Sequence, residues 1–304
     1  GWRRRRRRRS MARVVSRHGA LALALPALAC LWAATRGRGL ALPVAMASGR
    51  VALVTGANKG IGLEIARKLA DAGVTTVIGA RNEARGVAAA EELCRAGCTA
   101  VSARLDLTDP DSALAAARFV GEEFGRLDIL VNNAAVCFND PTLYGACEFT
   151  PFERQAGITV STNFFGTLAV TRAMLPLLQA SSSPRIVNVA SYAGRLAILR
   201  SREKLEAFTS PTLQVSELEA MMREFVRDAE AGVHARSGWP NTCYGVSKLG
   251  IIALTRVMAR DEPKAMINSV DPGYCATDQN RNQGVQSAEE GAQTPAALAL
   301  LPDD

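Results

Sequence analysis

The stretch RVALVTGANKGIGLEIARKLADAG, from Arg50 to Gly73, decides the fold. Its apolar, β-branched beginning predicts a buried strand, and the apolar residues that recur between positions 61 and 70 predict a helix that ends at Gly73. Between them, Gly56 permits a sharp turn, Gly60 lets the backbone approach a pyrophosphate, and Gly62 lets the helix pack closely. A glycine-rich turn without a ligand is the alternative, but the strand-to-helix position favours a phosphate site.

Apolar runs and helical patterns alternate along the rest of the chain. The predicted strands are TTVIGA (Thr75–Ala80), TAVSARL, LDILVNN (Leu127–Asn133), RIVNV (Arg185–Val189) and MINSV (Met266–Val270). Strands that alternate with helices of about a dozen residues predict an α/β fold, a doubly wound parallel sheet of the Rossmann type with helices on both faces. Such sheets bind ligands at the carboxyl ends of their strands.

The charge of the chain is unevenly distributed. Residues 1–50 hold twelve arginines and no acidic residue, so the overall net charge of +7 belongs to this segment. Residues 51–304 hold 24 basic and 29 acidic residues, a net charge of −5, and we therefore expect no nucleic-acid partner. The sequence holds only two histidines, His18 and His234. We therefore expect neither a structural zinc site nor a Ser-His-Asp catalytic triad.

The apolar run GALALALPALACLWAA, from Gly19 to Ala34, lies inside this arginine-rich segment. It is shorter than the roughly 20 residues of a membrane span, and the small-residue stretch AMAS follows it. We expect residues 1–49 to be a targeting or disordered segment that is removed in an organelle, a plastid or a mitochondrion. A retained membrane anchor and a cytoplasmic location are the alternatives, and Met11 is an alternative start. Residues 50–304 are expected to form one large domain.

Seven motifs follow one another along this domain. They are TGANKGIG (Thr55–Gly62), LDLTD (Leu105–Asp109), NNAA (Asn132–Ala135), NFFGT (Asn163–Thr167), NVAS (Asn188–Ser191), YGVSK (Tyr244–Lys248) and DPGYCATD (Asp271–Asp278). In these motifs the chain resembles the short-chain dehydrogenase/reductase family, and within it the monomeric NADPH-dependent carbonyl reductases. The resemblance covers residues 50–304 and implies an enzyme that reduces a ketone, an aldehyde or a quinone to an alcohol.

The charge after the second predicted strand indicates the cofactor. Arg81 stands where NAD-specific sites usually place an acidic residue, with Arg85 one helical turn on and Lys59 in the glycine loop. Three cations suit the extra 2′-phosphate of NADPH, because a guanidinium binds phosphate through two parallel hydrogen bonds. The resemblance adds contacts to the cofactor from Asn58, Ile61, Asp106 (adenine), Asn133, Pro272, Gly273 and Thr277 (nicotinamide carboxamide). Ala135 stands where the family usually has a glycine, so that the usual motif NNAG reads NNAA here.

The pair Tyr244 and Lys248 carries the expected chemistry. In a helix the two side chains share one face, about one turn apart. A phenol of pKa about 10 holds its proton too tightly near neutrality, and we expect the Lys248 ammonium, with the positive nicotinamide of oxidised cofactor, to lower the pKa of Tyr244. The resemblance implies that Lys248 also binds the nicotinamide ribose, that Ser191 binds the substrate carbonyl, and that Asn163 holds a water in a proton relay. Hydride would pass from NADPH while Tyr244 supplies the proton.

An insertion of about residues 192–240 separates Ser191 from Tyr244. Its pattern predicts a helix with a capping box of Ser216 and Glu219. The apolar stripe of this helix comprises Leu218, Met221, Met222, Phe225, Val226 and Ala229. By resemblance the insertion covers the surface through which relatives tetramerise, which predicts a monomer. Tyr192 and Tyr274 flank the expected carbonyl site and favour apolar or aromatic substrates.

The end of the chain and the function class carry one further expectation each. Relatives continue beyond LALLPDD (Leu298–Asp304) into one more strand, so we expect the last sheet strand to be missing and Met266–Val270 to be an edge strand. The expected partner is a small-molecule carbonyl compound, with membrane contact only through the N-terminal apolar run. The alternative function is a catalytically weak NADP-binding sensor or partner module.

Overall fold

The computed structural model describes residues 49–138 and 149–302, and the start at Met11 and all of the predicted targeting segment except its last residue, Gly49, lie outside them. The described strands are β1 (Val51–Thr55), β2 (Thr75–Ala80), β3 (Ala100–Arg104), β4 (Ile129–Asn132), β5 (Arg185–Val189) and β6 (Met266–Val270). They form one parallel sheet in the order β3-β2-β1-β4-β5-β6. The strand order reverses between β1 and β4, and this point is where open α/β sheets bind ligands. The predicted doubly wound fold is confirmed.

Helices flank this sheet. They are α1 (Gly60–Asp71), α2 (Glu83–Arg95), α3 (Pro110–Phe124), α4 (Phe152–Val160), α5 (Thr167–Gln179), α6 (Arg202–Thr209), α7 (Val215–Glu230), α8 (Cys243–Asp261), α9 (Ala288–Gly291) and α10 (Gln293–Ala299). Polar side chains begin several of them: Asn82 accepts from the Arg85 amide, and Asp109 accepts from the Asp111 amide. Every residue of the covered strands β1 and β2 is buried, and most of these residues are apolar.

The stretch predicted as one long helix before β5 is divided by a wide π-helical turn. Helix α4 runs into this turn at Ser161–Gly166, and α5 follows it. The turn carries Asn163, which is buried. Because π-helical turns are frequent at functional sites, this irregularity draws attention to the position of Asn163.

The insertion forms α6 and α7, and the capping box predicted for α7 is wrong. The helix begins two residues earlier than that box requires: Gln214 is the N-cap, and its amide donates to Glu217 Oε2 over 2.8 Å. Glu219 instead accepts from Arg172 and Arg223. The predicted apolar stripe is confirmed, because four of its members are buried and Met221 and Val226 pack against the core.

Strand β6 lies at one edge of the sheet within the described residues, as predicted. Near it, the buried Arg185 guanidinium of β5 donates to the carbonyl oxygens of Leu301 and Pro302, so the end of the described chain packs beside β5. Across residues 49–138 and 149–302, no helix combines the length and apolar character that a membrane span requires.

Candidate active site

The glycine loop has the geometry that its sequence predicts. Gly56 and Gly60 adopt positive φ angles of 65° and 57°, a backbone conformation that other residues rarely adopt. A Cβ on Gly62 would lie 2.5 Å from both the Gly56 carbonyl oxygen and Asn133 Nδ2. The first turn of α1 is therefore packed directly against the loop and β4, and backbone amides remain open at the helix N-terminus for an anion.

A cavity of about 760 Å³ lies at the carboxyl ends of β1, β4 and β5. Most of the predicted cofactor contacts line it: Gly56, Asn58, Lys59, Gly60, Ile61, Gly62, Arg81, Asp106, Asn133, Tyr244, Lys248, Pro272 and Thr277. Its volume is within the range of about 300–1,000 Å³ typical of cofactor and ligand sites. One cavity thus joins the phosphate-binding loop to the predicted catalytic pair.

The three predicted phosphate-binding cations are not equivalent. Arg81 and Lys59 line the cavity, whereas Arg85 lies exposed on α2 outside this lining. Lys59 Nζ donates to Asp278 Oδ2 over 2.7 Å, an exposed ion pair that sequence reasoning missed. Asp278 lies 219 residues from Lys59, and only the fold brings this carboxylate to the cation.

Asp106 and Asn133 occupy the walls of the cavity. Burial opposes ionisation of Asp106, but hydrogen bonds from Thr108 and the positive charge of Arg81 outweigh it, so the pKa of Asp106 lies below its usual value. Asn133 Nδ2 donates to the Thr55 carbonyl over 2.9 Å. Asn133 therefore braces the glycine loop from β4 as well as lining the cavity.

The cavity wall formed by α8 carries the catalytic pair. Thr242 caps this helix, accepting from the Gly245 amide, and the first turn presents Tyr244 to the cavity. Lys248 Nζ lies 5.6 Å from the centroid of the Tyr244 ring and donates to the Val189 carbonyl, at the end of β5, over 2.7 Å. The predicted proximity of the two residues is confirmed.

The protein's own groups together raise the pKa of Tyr244, whereas Lys248 was expected to lower it. Burial raises the pKa of Tyr244 above that of a free phenol, with Cys137 acting in the same direction, while a hydrogen bond from Ser191 acts against it. Burial also lowers the pKa of Lys248 to about 8. Desolvation of the phenol therefore dominates among the protein groups, and the lowering of the Tyr244 pKa by Lys248 together with oxidised cofactor stays a prediction.

Ser191 and Asn163 reach the site from different elements. Ser191 follows β5, and its Oγ accepts from the Ala193 amide over 3.2 Å. Asn163 is engaged with its neighbours: Oδ1 accepts from the Val136 amide over 2.8 Å, and Nδ2 donates to the Val136 carbonyl and to Ser247 Oγ over 2.9 and 3.0 Å. Since both N–H donors of this amide are used, Asn163 holds the segment after β4 against α8.

The loop after β6 closes the far side of the cavity. Thr277 packs opposite Gly60, about 3.6 Å from the position a Cβ would take there. Gly273 has a φ of 82° and shapes the loop without lining the cavity. The two predicted substrate residues, Tyr192 and Tyr274, are 67% and 46% exposed and lie outside the cavity lining.

Sequence reasoning also missed two residues of the cavity. Cys137 and Gln279 both line it, as Tyr244 does. Each lies within two residues of a recognised motif, after NNAA and after DPGYCATD, and that adjacency was the only signal in the sequence.

Comparisons with known proteins agree with this geometry. The family model described as short chain dehydrogenase matches residues 50–201. The chain belongs to the short-chain dehydrogenase family. It is 44% identical over 265 residues to carbonyl reductase [NADPH] 3 of Mus musculus, covering 84% of this chain and 92% of that protein. It is 42% identical over 262 residues to carbonyl reductase [NADPH] 1 of Bos taurus, with the same two coverages.

Two solved structures of this family have the same fold. Salutaridine reductase from Papaver somniferum superposes with a TM-score of 0.77 at 33% identity, covering 84% of this chain and 97% of that one. Menthone neomenthol reductase from Mentha piperita gives a TM-score of 0.72 at 34% identity, covering 84% and 96%. The short-chain dehydrogenase architecture therefore extends over the sheet, the cavity and the insertion.

Proposed function

We infer that this short-chain dehydrogenase reduces a carbonyl compound to an alcohol with NADPH. One observation carries the inference: a single cavity has the glycine loop and Arg81 on one side and Tyr244 and Lys248 on the other. The relatives named carbonyl reductase [NADPH] support the same reaction. The alternative of a catalytically weak NADP-binding sensor is not favoured, because the groups needed for proton transfer are assembled beside the cofactor cavity.

The cavity residues fit NADPH. The close approach of α1 to the glycine loop places helix N-terminal amides at the cavity, where a pyrophosphate is stabilised. Arg81, reaching the cavity from the end of β2, is placed to bind the 2′-phosphate, and Lys59 adds a second positive charge. Bound NADPH supplies the hydride; orientation and proton transfer come from the chain.

Tyr244 is the proposed proton donor. Because burial raises its pKa, the phenol keeps its proton at neutral pH and is in the acid form that carbonyl reduction requires. Ser191, which lowers the pKa of the same phenol, is proposed to hold the substrate oxygen there. Lys248, fixed by the Val189 carbonyl, is proposed to orient the nicotinamide ribose and to supply positive charge as Tyr244 loses its proton.

For Asn163 we propose a positioning role in place of direct water binding through its N–H groups. Its amide ties Val136 to Ser247, and Ser247 Oγ in turn donates to the Tyr244 carbonyl over 2.8 Å. A relay water at this position would have to use the remaining lone pair of Oδ1 or a backbone carbonyl of the π-helical turn.

The substrate is proposed to be an apolar or aromatic carbonyl compound. Tyr192 and Tyr274 lie outside the cavity lining with exposed rings, so they would contact the part of such a molecule that extends beyond the cavity, and Arg195 stacks over the Tyr192 ring at 4.3 Å. The test is a panel of aldehydes, ketones and quinones, with NADPH consumption followed by absorbance and the alcohol identified by mass spectrometry. The proposal fails if cofactor binds tightly while no member of the panel is reduced.

Two further proposals concern the whole chain. We propose a monomer, because α7 buries its apolar stripe against α4 and α8, and light scattering that finds a stable tetramer would contradict this.

We also propose that residues 1–49 direct the chain to an organelle, on their arginine-rich, acid-free composition. Fusing these residues to a fluorescent protein tests the location, and a diffuse cytoplasmic signal would contradict it.

A further inference from the structure

The short helical turn Asp278–Asn280 brings a carboxylate to a cation of the cofactor cavity. Asp278 Oδ2 accepts from Lys59 Nζ over 2.7 Å, and both residues line the cavity. Both side chains are more than half exposed, so a ligand that enters the cavity can reach the ammonium. The carboxylate therefore lies on the lysine that is proposed to attract the phosphate of NADPH.

The backbone that carries Asp278 is fixed by a buried neighbour. Asn280 Oδ1 accepts from the Thr277 amide over 3.1 Å, and Asn280 Nδ2 donates to the Cys275 carbonyl over 2.8 Å. The Thr277 side chain in turn packs opposite Gly60. The loop after β6 is thus held against the glycine loop, and it presents Asp278 to the cavity from a fixed position.

The charges around the pair keep this carboxylate ionised. The hydrogen bond and the positive charge of Lys59 hold the pKa of Asp278 below its ordinary value, and Arg85 acts in the same direction. Asp106, which also lines the cavity, accepts instead from the amide and the hydroxyl of Thr108, over 3.0 and 2.8 Å. Asp278 is therefore the cavity carboxylate that is hydrogen-bonded to a phosphate-binding cation.

We propose that Asp278 is a specificity-determining residue that competes with the 2′-phosphate of NADPH for Lys59 and so limits the affinity for this cofactor. Two acceptors on one ammonium, each at about 2.8 Å, lie at most about 5.6 Å apart. Because this separation is shorter than the Debye length of about 8 Å at physiological ionic strength, salt does not remove their repulsion. A phosphate must displace the carboxylate or share the ammonium with it, and both weaken binding. This inference rests on the proposed reductase function and deepens the account of its cofactor site.

The test compares Asp278→Asn with Glu289→Gln. Asparagine keeps the size of the side chain and an oxygen that can accept from Lys59, but it removes the charge. Glu289 also pairs with a lysine of α1, Lys68, at 3.7 Å, but it lies outside the cavity lining and is the matched control. Isothermal titration calorimetry measures the binding of 2′,5′-ADP, which carries the 2′-phosphate, and of 5′-AMP, which lacks it.

Asp278→Asn should bind 2′,5′-ADP about two- to fivefold more tightly than the wild-type protein, the range for one exposed charge pair. Its affinity for 5′-AMP should be unchanged, and Glu289→Gln should keep both wild-type affinities. Equal or weaker binding of 2′,5′-ADP by Asp278→Asn, or an equal gain for 5′-AMP, would overturn the inference while leaving the reductase function intact. A wild-type protein that binds 5′-AMP as tightly as 2′,5′-ADP would instead contradict the proposed NADPH site itself.

Discussion

Replacing Gly62 by alanine tests whether the close packing of α1 on the glycine loop creates the cofactor site. The new Cβ would lie 2.5 Å from the Gly56 carbonyl oxygen and 2.5 Å from Asn133 Nδ2. Neither contact can be relieved cheaply: one atom belongs to the backbone, and the other is the amide that braces Thr55. The helix must therefore move away from the loop.

Gly121 in α3 provides the matched control. It is also a helical glycine, but a Cβ there would meet only Leu177 Cδ2, at the ordinary contact distance of 3.4 Å. Both changes gain up to about 1 kcal/mol of helix propensity, whereas only Gly62→Ala adds an overpacking cost of roughly 1–3 kcal/mol. Gly62→Ala should therefore unfold about 1–3 kcal/mol more easily than Gly121→Ala.

Two assays check this difference. For a domain of this size, thermal unfolding should separate the two variants by roughly 2–10 °C. Fluorescence titration should show NADPH binding weakened about tenfold or more in Gly62→Ala, because displaced amides no longer meet the pyrophosphate, and unchanged in Gly121→Ala. Equal stability and equal NADPH affinity of the two variants would refute the packing argument.

Two further predictions concern charge. Arg81→Asp should raise the KM for NADPH about tenfold or more and improve the use of NADH, whereas Arg95→Asp at the exposed end of α2 should not; a wild-type preference for NADH would contradict this. The pKa of Lys248, about 8 when folded against 10.5 for a free lysine, means that the unfolded chain binds more protons between these values. The free energy of unfolding should therefore rise from pH 8 to pH 10, relative to Lys248→Met, by about 2–3 kcal/mol. Parallel pH profiles from denaturant titrations would contradict it.

The features predictable from the sequence are those with a local cause. The turn at Gly56 and the helix after it depend on residues that are adjacent in the chain. The pairing of Tyr244 with Ser191 was implied by the resemblance of the motifs YGVSK and NVAS to those of the short-chain dehydrogenase/reductase family. The apolar stripe of α7 was equally readable, since it follows the helical period.

The features that were missed depend on contacts distant in sequence. The sign of the Tyr244 pKa shift is set by burial beneath several elements, and no spacing within YGVSK contains that information. The Lys59–Asp278 pair joins residues 219 positions apart. Helix α7 begins after Gln214 and not after Ser216, because Glu217 accepts from the Gln214 amide, whereas Glu219 pairs with Arg172 and Arg223 from outside its own turn.

The role of Tyr244 as proton donor is the central claim, and Tyr244→Phe tests it most directly. The substitution removes only the hydroxyl, so NADPH affinity should stay at the wild-type value. Carbonyl reduction, followed by NADPH absorbance with a substrate that the wild-type protein reduces, should fall by about 10²–10⁴-fold, the range for loss of a general acid. Turnover close to that of the wild-type protein would contradict the account.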